Sequence, residues 1–239
     1  MNRTCVCVLS GLVVGVACFG QGEAVEAEPE AYPFTEAQKA NRYIKDFQRW
    51  AKADLGNIPM RDGVLCVGSS SMRGWKDIKT DLAPLKVIHR GFGGSTMGHV
   101  LVFKDFLLRY EAATILVYEG DNDLVSKKSK PQTFVNNCKA FCEAVFAVRS
   151  DTKVHFICAK PSPSRWHRWP AFCEGNAMLK AFCETDARLG FIDVSKGMLG
   201  EDGLPRAEIF KKDRLHMNRK GYEIWRDIVR AALIPEDSE

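Results

Sequence analysis

Residues 64–71 have the sequence Val64-Leu65-Cys66-Val67-Gly68-Ser69-Ser70-Ser71. The apolar run over 64–67 predicts a short buried strand, and the glycine and serines after it predict a tight turn. Four similar apolar runs follow, at residues 86–89, 114–118, 154–158 and 190–194. Each run is mostly apolar without alternation, which is typical of strands covered on both faces. The chain is therefore predicted to contain five buried strands.

Amphipathic stretches separate these strands and predict helices over residues 97–110, 133–148, 171–188 and 218–233. A first helix is predicted to begin after Thr35, whose hydroxyl is suited to cap it. Strands that alternate with helices form a parallel sheet with helices on both faces. The sequence therefore predicts an α/β fold, a three-layer α/β/α sandwich with a five-stranded parallel sheet, as a single domain over residues 35–235.

Composition narrows the class of protein. The 239 residues are 46% hydrophobic and 27% charged, which is too apolar and too balanced in charge for a disordered chain. No internal stretch approaches the about 20 consecutive apolar residues that a membrane-spanning helix needs. The formal net charge is +4 and the basic residues are scattered, so a nucleic-acid partner is not expected.

The N-terminal residues predict export. Arg3 gives a short basic start, and residues 5–19 are uncharged and almost wholly apolar or small. This length suits the apolar core of a signal peptide and is short for a membrane span. Residues 1–22 are therefore predicted to be a signal peptide, with cleavage after position 20, 22 or 24. The protein is then expected to be secreted or periplasmic, without stable membrane insertion after cleavage; an uncleaved anchor helix is the alternative.

Residues 23–34 are rich in Glu, Ala and Pro and predict a flexible tether ahead of the domain. Of the cysteines, six lie beyond the leader, at positions 66, 138, 142, 158, 173 and 183. An even number in an exported protein permits disulfides, but the sequence does not choose among the pairings. Cys66 and Cys158 lie in strand-like runs, where cysteine commonly serves as a small core residue.

Polar residues follow the predicted strands at the points where ligands bind in such sheets. The serines at 69–71 follow the first strand, and a glycine-rich stretch at 90–96 follows the second. Residues 119–123, Glu-Gly-Asp-Asn-Asp, follow the third strand, and residues 213–216, Asp-Arg-Leu-His, precede the last helix. A serine hydroxyl, a glycine-rich turn, a side-chain amide and an Asp-His pair are therefore predicted to converge on one edge of the sheet.

These residue types are the ones that acyl transfer needs. A serine hydroxyl attacks a carbonyl only when a base takes its proton, and a histidine such as His216 suits that role. A carboxylate such as Asp213 would orient the imidazole; the two are three positions apart, so one helical turn would place both on one side. The amides of Ser70 and Gly94 and the side-chain NH₂ of Asn122 are candidate donors to the oxyanion.

Four sequence blocks resemble those of the GDSL-type, or SGNH, esterase and lipase superfamily, and they occur in the same order. The blocks are residues 64–71, 91–96, 120–123 and 213–216. The resemblance covers nearly all of the chain after the leader and implies a flavodoxin-like strand order. It also implies Ser70 as the nucleophile, Asp213 and His216 as the rest of a catalytic triad, and Ser70, Gly94 and Asn122 as the oxyanion hole.

The first block departs from the family's pattern, in which Asp often stands at the position of Ser69. Ser69 and Ser71 therefore stay open as alternatives to Ser70 for the nucleophile. Asn is usual in the family at the position of His89, which we interpret, together with His99 and His155, as a structural histidine.

The resemblance implies an exported serine esterase that hydrolyses carboxylic esters through an acyl-enzyme. The expected partner is a small-molecule or polysaccharide ester, with a small acyl group such as acetyl on carbohydrate. A lysophospholipase or thioesterase acting on longer acyl chains is the alternative. A non-catalytic carbohydrate-binding module on the same scaffold is an alternative of another class. No cofactor and no metal ion is expected.

A tryptophan-rich loop over residues 162–170 follows the fourth strand and is predicted to overhang the site. Trp166, Trp169 and Arg165 are candidate substrate-binding residues, although packing is an equal alternative for the two tryptophans. Arg165 and Arg168, with further basic residues near the Asp-His pair, would give the site a basic rim. Such a rim favours a substrate with negative charge nearby; an ordinary solvated surface is the alternative.

Overall fold

The computed structural model describes residues 32–58 and 61–234. Five parallel strands form one sheet in the order β2-β1-β3-β4-β5. The strands are β1 (Val64–Gly68), β2 (Val87–Gly91), β3 (Thr114–Tyr118), β4 (Lys153–Ile157) and β5 (Leu189–Ile192). This is a flavodoxin-like order. All five predicted strands are confirmed, with ends that differ by at most two residues.

The strands are mostly apolar because their alternate residues enter two separate hydrophobic cores. In β1, Leu65 and Val67 belong to the first core, whereas Val64 and Cys66 belong to the second. The same alternation occurs in β3 and β4. Successive side chains of a strand point to opposite faces of a sheet, so a sheet covered on both faces has no polar side to expose.

Helices cover both faces of the sheet. They are α1 (Glu36–Lys39), α2 (Ile44–Ala53), α3 (Ser70–Gly74), α4 (Ile78–Asp81), α5 (Met97–Val102), α6 (Lys104–Leu108), α7 (Pro131–Val148), α8 (Trp169–Cys183), α9 (Ser195–Met198) and α10 (Arg219–Leu233). Helices α2, α5, α6, α7 and α8 close the first core, and α3, α4, α9 and α10 close the second. Short 3₁₀ helices span Pro163–Arg168 and Ala207–Ile209. The predicted three-layer α/β/α sandwich is therefore confirmed.

Two of the predicted helices are divided in the structure. Thr35 caps α1 through a capping box, but that helix stops after one turn and α2 begins only at Ile44. The helix predicted over 97–110 breaks at Phe103, whose φ of −107° and ψ of 15° lie outside the helical range. Phe103 is fully buried, and its ring stacks on Phe47 at a centroid distance of 3.8 Å. Hydrophobic periodicity detects the apolar face of such a segment but not a single residue that leaves the helix to pack.

The packed domain begins before the predicted boundary at residue 35, which is a correction to the prediction. Phe34 is buried and its ring stacks on Phe106 at 5.7 Å, while Tyr32 meets Phe106 edge to face. The end of the predicted 23–34 tether therefore belongs to the first core, because burial of these aromatic rings outweighs the Pro-rich local composition. The predicted signal peptide, residues 1–22, lies outside the described residues. Within residues 32–58 and 61–234, none of the helices combines the length and apolar character needed to cross a membrane.

The cysteines at positions 66, 138, 142, 158, 173 and 183 are free thiols. Cys66 and Cys158 are fully buried, as their positions in apolar runs predicted. Cys173 is the exposed member of the set.

A testable consequence concerns Gly68, where β1 ends. Gly68 has a φ of 149°, and a Cβ there would lie 2.1 Å from the carbonyl oxygen of Tyr118 in β3. We predict that Gly68→Ala lowers the free energy of unfolding by about 3 kcal/mol or more, because backbone conformation and steric overlap both oppose a side chain. Urea denaturation followed by circular dichroism measures the change.

Gly203→Ala is the matched control. Gly203 has a φ of 73°, and no atom lies within 4 Å of the added Cβ. We expect this variant to lose only about 1–2 kcal/mol in the free energy of unfolding, which is the cost of a left-handed backbone conformation for alanine. Equal losses in the two variants would contradict the steric explanation.

Candidate active site

The turn between β1 and α3 carries the three candidate serines. The N–H of Ser69 donates to the carbonyl of Tyr118 at 3.0 Å, which continues the pairing of β1 with β3. Ser69 and Ser71 are each 1% exposed, whereas Ser70 is partly exposed as the first residue of α3. The hydroxyl of Ser70 is therefore the accessible one of the three.

His216 and Asp213 lie in a tight turn ahead of α10. The N–H of Lys211 donates to the carbonyl of His216 at 2.8 Å, and Arg214 adopts a left-handed conformation with a φ of 56°. One carboxylate oxygen of Asp213 accepts the N–H groups of Leu215 and His216 at 3.0 and 2.9 Å. The prediction that one helical turn aligns the pair is therefore wrong. A closed turn aligns them instead, because the Asp213 carboxylate caps its own backbone.

The structure brings Ser70, His216 and Asp213 together. Nε2 of His216 lies 2.9 Å from Oγ of Ser70, and Nδ1 of His216 lies 2.7 Å from Oδ2 of Asp213. A carboxylate only accepts hydrogen bonds, so the Asp213 contact favours the imidazole tautomer with its proton on Nδ1. Nε2 is then free to accept the proton of the Ser70 hydroxyl. This arrangement can activate a serine for attack on a carbonyl.

The Asp213 carboxylate stays ionised at neutral pH. Its partial desolvation works to raise the pKa, but hydrogen bonds from the His216 ring and from the amides of Leu215 and His216 outweigh it, and the pKa is lowered. An ionised carboxylate next to Nδ1 stabilises the imidazolium that forms when His216 takes a proton.

Asn122 lies in the loop after β3, with both ends of its side-chain amide engaged. Its Nδ2 donates to the carbonyl oxygen of Ser95 at 2.8 Å, and its Oδ1 accepts from the Arg165 guanidinium at 2.9 Å. An amide NH₂ has two donors, so one hydrogen of Nδ2 is left for another acceptor. Gly94, directly before Ser95, has a φ of 82°, a left-handed conformation that glycine adopts without strain.

The glycine-rich segment after β2 packs directly on α3. The N–H of Phe92 donates to the carbonyl of Gly68 at 2.8 Å, and a Cβ on Gly91 would lie 2.4 Å from the backbone nitrogen of Arg73. The Ser70 amide is the first of α3, and such an amide has no acceptor within its own helix. The structure thus places the predicted donors Ser70, Gly94 and Asn122 on neighbouring segments at the same edge of the sheet.

Two acidic residues of the loop after β3 tie it to the loop after β2. Asp123 accepts the N–H groups of Met97 at 2.9 Å and Gly120 at 3.0 Å. The buried Glu119 accepts the hydroxyl of Ser95 at 2.5 Å. Sequence reasoning did not identify Glu119 as part of the site. The sequence feature that could have indicated it is an acidic residue directly after the apolar strand β3.

Two arginines of the 162–170 loop bind the protein itself. Arg165 donates to the carbonyl of Asp121 at 2.7 Å as well as to Asn122, and Arg168 donates to the carbonyls of Leu124 and Ser126. Each guanidinium therefore uses part of its hydrogen-bonding capacity within the protein, and the predicted basic rim stays a prediction. The donors of an arginine that are directed at backbone carbonyls cannot serve a substrate anion at the same time.

The predicted tryptophans form a stacked pair. The rings of Trp166 and Trp169 lie 5.7 Å apart with an interplanar angle of 17°. Trp169 also packs edge-on against Phe172 and borders the first core, whereas Trp166 is the outer member of the pair; both side chains are partly exposed. The N–H of Ser164 donates to the carbonyl of Arg214 at 3.0 Å, so this loop is attached to the turn that carries His216 and Asp213.

The other histidines make local contacts. Nε2 of His89 lies 2.7 Å from the carbonyl of Met72 in α3, and His99 closes a capping box with Thr96 at the start of α5. Burial lowers the pKa of both His89 and His99. Neutral imidazoles at these positions support the backbone that carries the site, in agreement with their structural interpretation.

A protein-family model matches most of this chain. The model of the GDSL-like lipase/acylhydrolase family matches residues 62–224, a range that runs from β1 into α10 and includes all four site segments. The chain belongs to this family. It is therefore an ester-hydrolysing enzyme, which excludes the non-catalytic binding module.

Solved structures of similar fold agree with the architecture of this GDSL-like acylhydrolase. A GDSL-like lipase from Bacteroides thetaiotaomicron is 20% identical, with 78% of this chain and 96% of that chain covered and a TM-score of 0.66. A lipase/acylhydrolase from Enterococcus faecalis is 18% identical, with coverages of 72% and 94% and a TM-score of 0.56. A carbohydrate esterase family 3 protein from Talaromyces cellulolyticus is 14% identical, with coverages of 72% and 96% and a TM-score of 0.59. No curated protein sequence matches the chain.

The acids that tie the loops of the acylhydrolase have perturbed ionisation. Burial, with the charge of Asp123 nearby, raises the pKa of Glu119 well above its usual value of 4.5. Burial likewise raises the pKa of Asp123 to about 6, against the amide hydrogen bonds that it accepts. Oε2 of Glu119 has no hydrogen-bond partner among the described residues, which is consistent with a neutral carboxyl at this position.

These shifts predict a pH dependence of stability. A carboxyl with a raised folded-state pKa binds its proton more tightly in the folded protein, so its contribution to the free energy of unfolding is lost as pH rises above the usual value. Glu119→Gln keeps an acceptor for Ser95 and cannot ionise. We predict that its free energy of unfolding, relative to wild type, increases as pH rises from about 4.5 to 7. Urea denaturation across that range, with the exposed Glu174→Gln as control, measures the effect; parallel profiles for Glu119→Gln and wild type would contradict it.

Proposed function

We propose that this acylhydrolase hydrolyses carboxylic esters through an acyl-enzyme, with Ser70, His216 and Asp213 as its catalytic triad. The observation that carries the proposal is the 2.9 Å separation of His216 Nε2 and Ser70 Oγ, with Asp213 held on the other ring nitrogen. The three side chains come from two distant parts of the chain, and the required contacts are those that a serine nucleophile needs.

The reaction proceeds in two halves. Oγ of Ser70 attacks the ester carbonyl while Nε2 of His216 takes the hydroxyl proton, and Asp213 stabilises the imidazolium. When the tetrahedral intermediate collapses, the imidazolium gives that proton to the leaving alcohol. Water then attacks the acyl-enzyme, His216 accepts its proton, and the acid leaves as the proton returns to Ser70.

The negative oxygen of the tetrahedral intermediate needs donors that are already in place. The amides of Ser70 and Gly94 and the remaining hydrogen on Nδ2 of Asn122 fill this role. Asn122 is fixed by Ser95 and Arg165 before substrate arrives, so no reorganisation is needed when charge develops.

The first test is removal of the nucleophile. Ser70→Ala is expected to lower turnover of 4-nitrophenyl acetate by about 10⁴-fold or more, because the acyl-enzyme can no longer form. Fluorophosphonate labelling followed by peptide mapping is expected to place the modification on Ser70 in the wild-type protein.

Ser69→Ala is the matched control for this test. The Ser69 hydroxyl is buried with no hydrogen-bond partner among the described residues, so its loss is expected to leave turnover near the wild-type value. Loss of activity in Ser69→Ala with retention in Ser70→Ala would overturn the assignment of the nucleophile.

The substrate in this proposal carries a small acyl group, such as acetyl, on carbohydrate. The stacked Trp166 and Trp169 rings support it, since flat aromatic faces suit the apolar faces of sugar rings and their loop is bonded to the turn of His216. A family 3 carbohydrate esterase is among the proteins of similar fold. Export belongs to the same proposal and is supported by the signal-like pattern of residues 1–22.

The outer tryptophan gives a test of the substrate class. Trp166→Ala is expected to raise KM for an acetylated polysaccharide about tenfold, because roughly one aromatic contact with the sugar is lost. KM for 4-nitrophenyl acetate is expected to stay nearly unchanged. Initial rates on both substrates measure the difference. Wild-type enzyme that prefers long-chain nitrophenyl esters over the acetyl ester would instead favour a lysophospholipase or thioesterase.

A further inference from the structure

Arg165 bonds two neighbouring residues of the loop after β3. Its side chain is only 16% exposed, and its two terminal nitrogens donate to the carbonyl of Asp121 and to Oδ1 of Asn122, at 2.7 and 2.9 Å. Its backbone leaves the helical conformation, with a φ of −115°, inside the Pro163–Arg168 helix. The guanidinium thus reaches across from the loop after β4 to the loop after β3.

The consequence for Asn122 is a side chain with one orientation. Oδ1 faces Arg165, so Nδ2 must face the opposite way, where it meets the carbonyl of Ser95 at 2.8 Å. If the amide were flipped, its NH₂ would face the Arg165 guanidinium, donor against donor, and its oxygen would face the Ser95 carbonyl, acceptor against acceptor. A cation on the amide oxygen also withdraws electron density from the amide and makes the N–H a stronger donor.

The charges around Asp121 add to this effect. Its buried carboxylate lies 3.1 Å from Nζ of Lys160, which is 0% exposed, and 3.9 Å from Arg165. Lys160 also donates to the carbonyl of Leu215, directly before His216, at 3.0 Å. Arg165 and Lys160 thus flank the Asp121 carboxylate, and Arg165 is the cation that bonds Asn122 directly. A fixed positive charge in a partly buried site stabilises a developing negative charge more than it would in water.

We propose that Arg165 is a positioning residue for ester hydrolysis, which acts through Asn122 by fixing and polarising the amide that binds the oxyanion. This inference rests on the proposed function, since it assigns a role to a neighbour of one proposed oxyanion donor. In this role Arg165 helps to stabilise the transition state and does not bind an anionic group of the substrate.

The test is a double-mutant cycle on 4-nitrophenyl acetate, a neutral substrate. Arg165→Gln is expected to lower kcat about tenfold with KM nearly unchanged. The reason is that the variant loses one charge-assisted hydrogen bond, whose effect on Asn122 matters only in the transition state. Asn122→Ala is expected to lower kcat by about 10²–10³-fold. The double variant is expected to lose no more than Asn122→Ala alone, because Arg165 then has no amide to act through.

Arg168→Gln is the matched control. Arg168 lies in the same loop and bonds the backbone carbonyls of Leu124 and Ser126, so its hydrogen bonds do not involve Asn122. It is expected to leave kcat close to wild type. Thermal unfolding of every variant checks the fold. If Arg165→Gln does not fold, Arg165→Lys carries the test: it keeps the charge, but one ammonium cannot bridge both acceptors, so a smaller loss in kcat is expected.

The outcomes separate this inference from the proposed function. Three outcomes would overturn the role of Arg165. The double variant could lose kcat by the product of the two single losses, Arg165→Gln could raise KM alone, or a folded Arg165 variant could keep the wild-type kcat. Wild-type turnover in Asn122→Ala would instead remove Asn122 from the oxyanion hole, and wild-type turnover in Ser70→Ala would remove the triad.

Discussion

The position of β1 between β2 and β3 is the constraint on which the rest of the site depends. Parallel pairing in register sets Gly68 beside Gly91 on one side and Tyr118 on the other. The three loops that leave these strands therefore start side by side at one edge of the sheet. The close contact at Gly68 leaves no room for a side chain, so Ser70 emerges at once into a helix beside the neighbouring loops.

Acidic residues of the site serve mainly to hold loops in place. Asp213 closes the turn that presents His216, Asp123 joins the loop after β3 to the start of α5 through backbone amides, and Glu119 holds the hydroxyl of Ser95. Each carboxyl accepts hydrogen bonds from N–H or O–H groups of these loops, and the buried Glu119 does so in the interior, where an unpaired polar group is destabilising. The result is a site whose geometry is built largely from backbone hydrogen bonds.

Much of this arrangement follows from the sequence. Mostly apolar runs predicted the five strands because a sheet covered on both faces buries most of its residues, and the carboxyl-end rule then indicated where Ser70, Asn122 and His216 would meet. The helix breaks at Phe103 and before Ile44, and the packing of Phe34 on Phe106, did not follow. They depend on contacts between aromatic rings far apart in the chain.

The sequence by itself determined the fold class, the family and the small set of side chains able to carry acyl-transfer chemistry, because periodicity and short motifs are local properties of the chain. Only the tertiary structure decided which of three serines reaches the imidazole and that a closed turn, not a helix, pairs Asp213 with His216. It also decided that Arg165 faces Asn122 and not the solvent. The Ser70–His216 and Arg165–Asn122 hydrogen bonds join residues tens of positions apart, whose partners no local pattern records, and the turn at Asp213 depends on which backbone amides its carboxylate accepts.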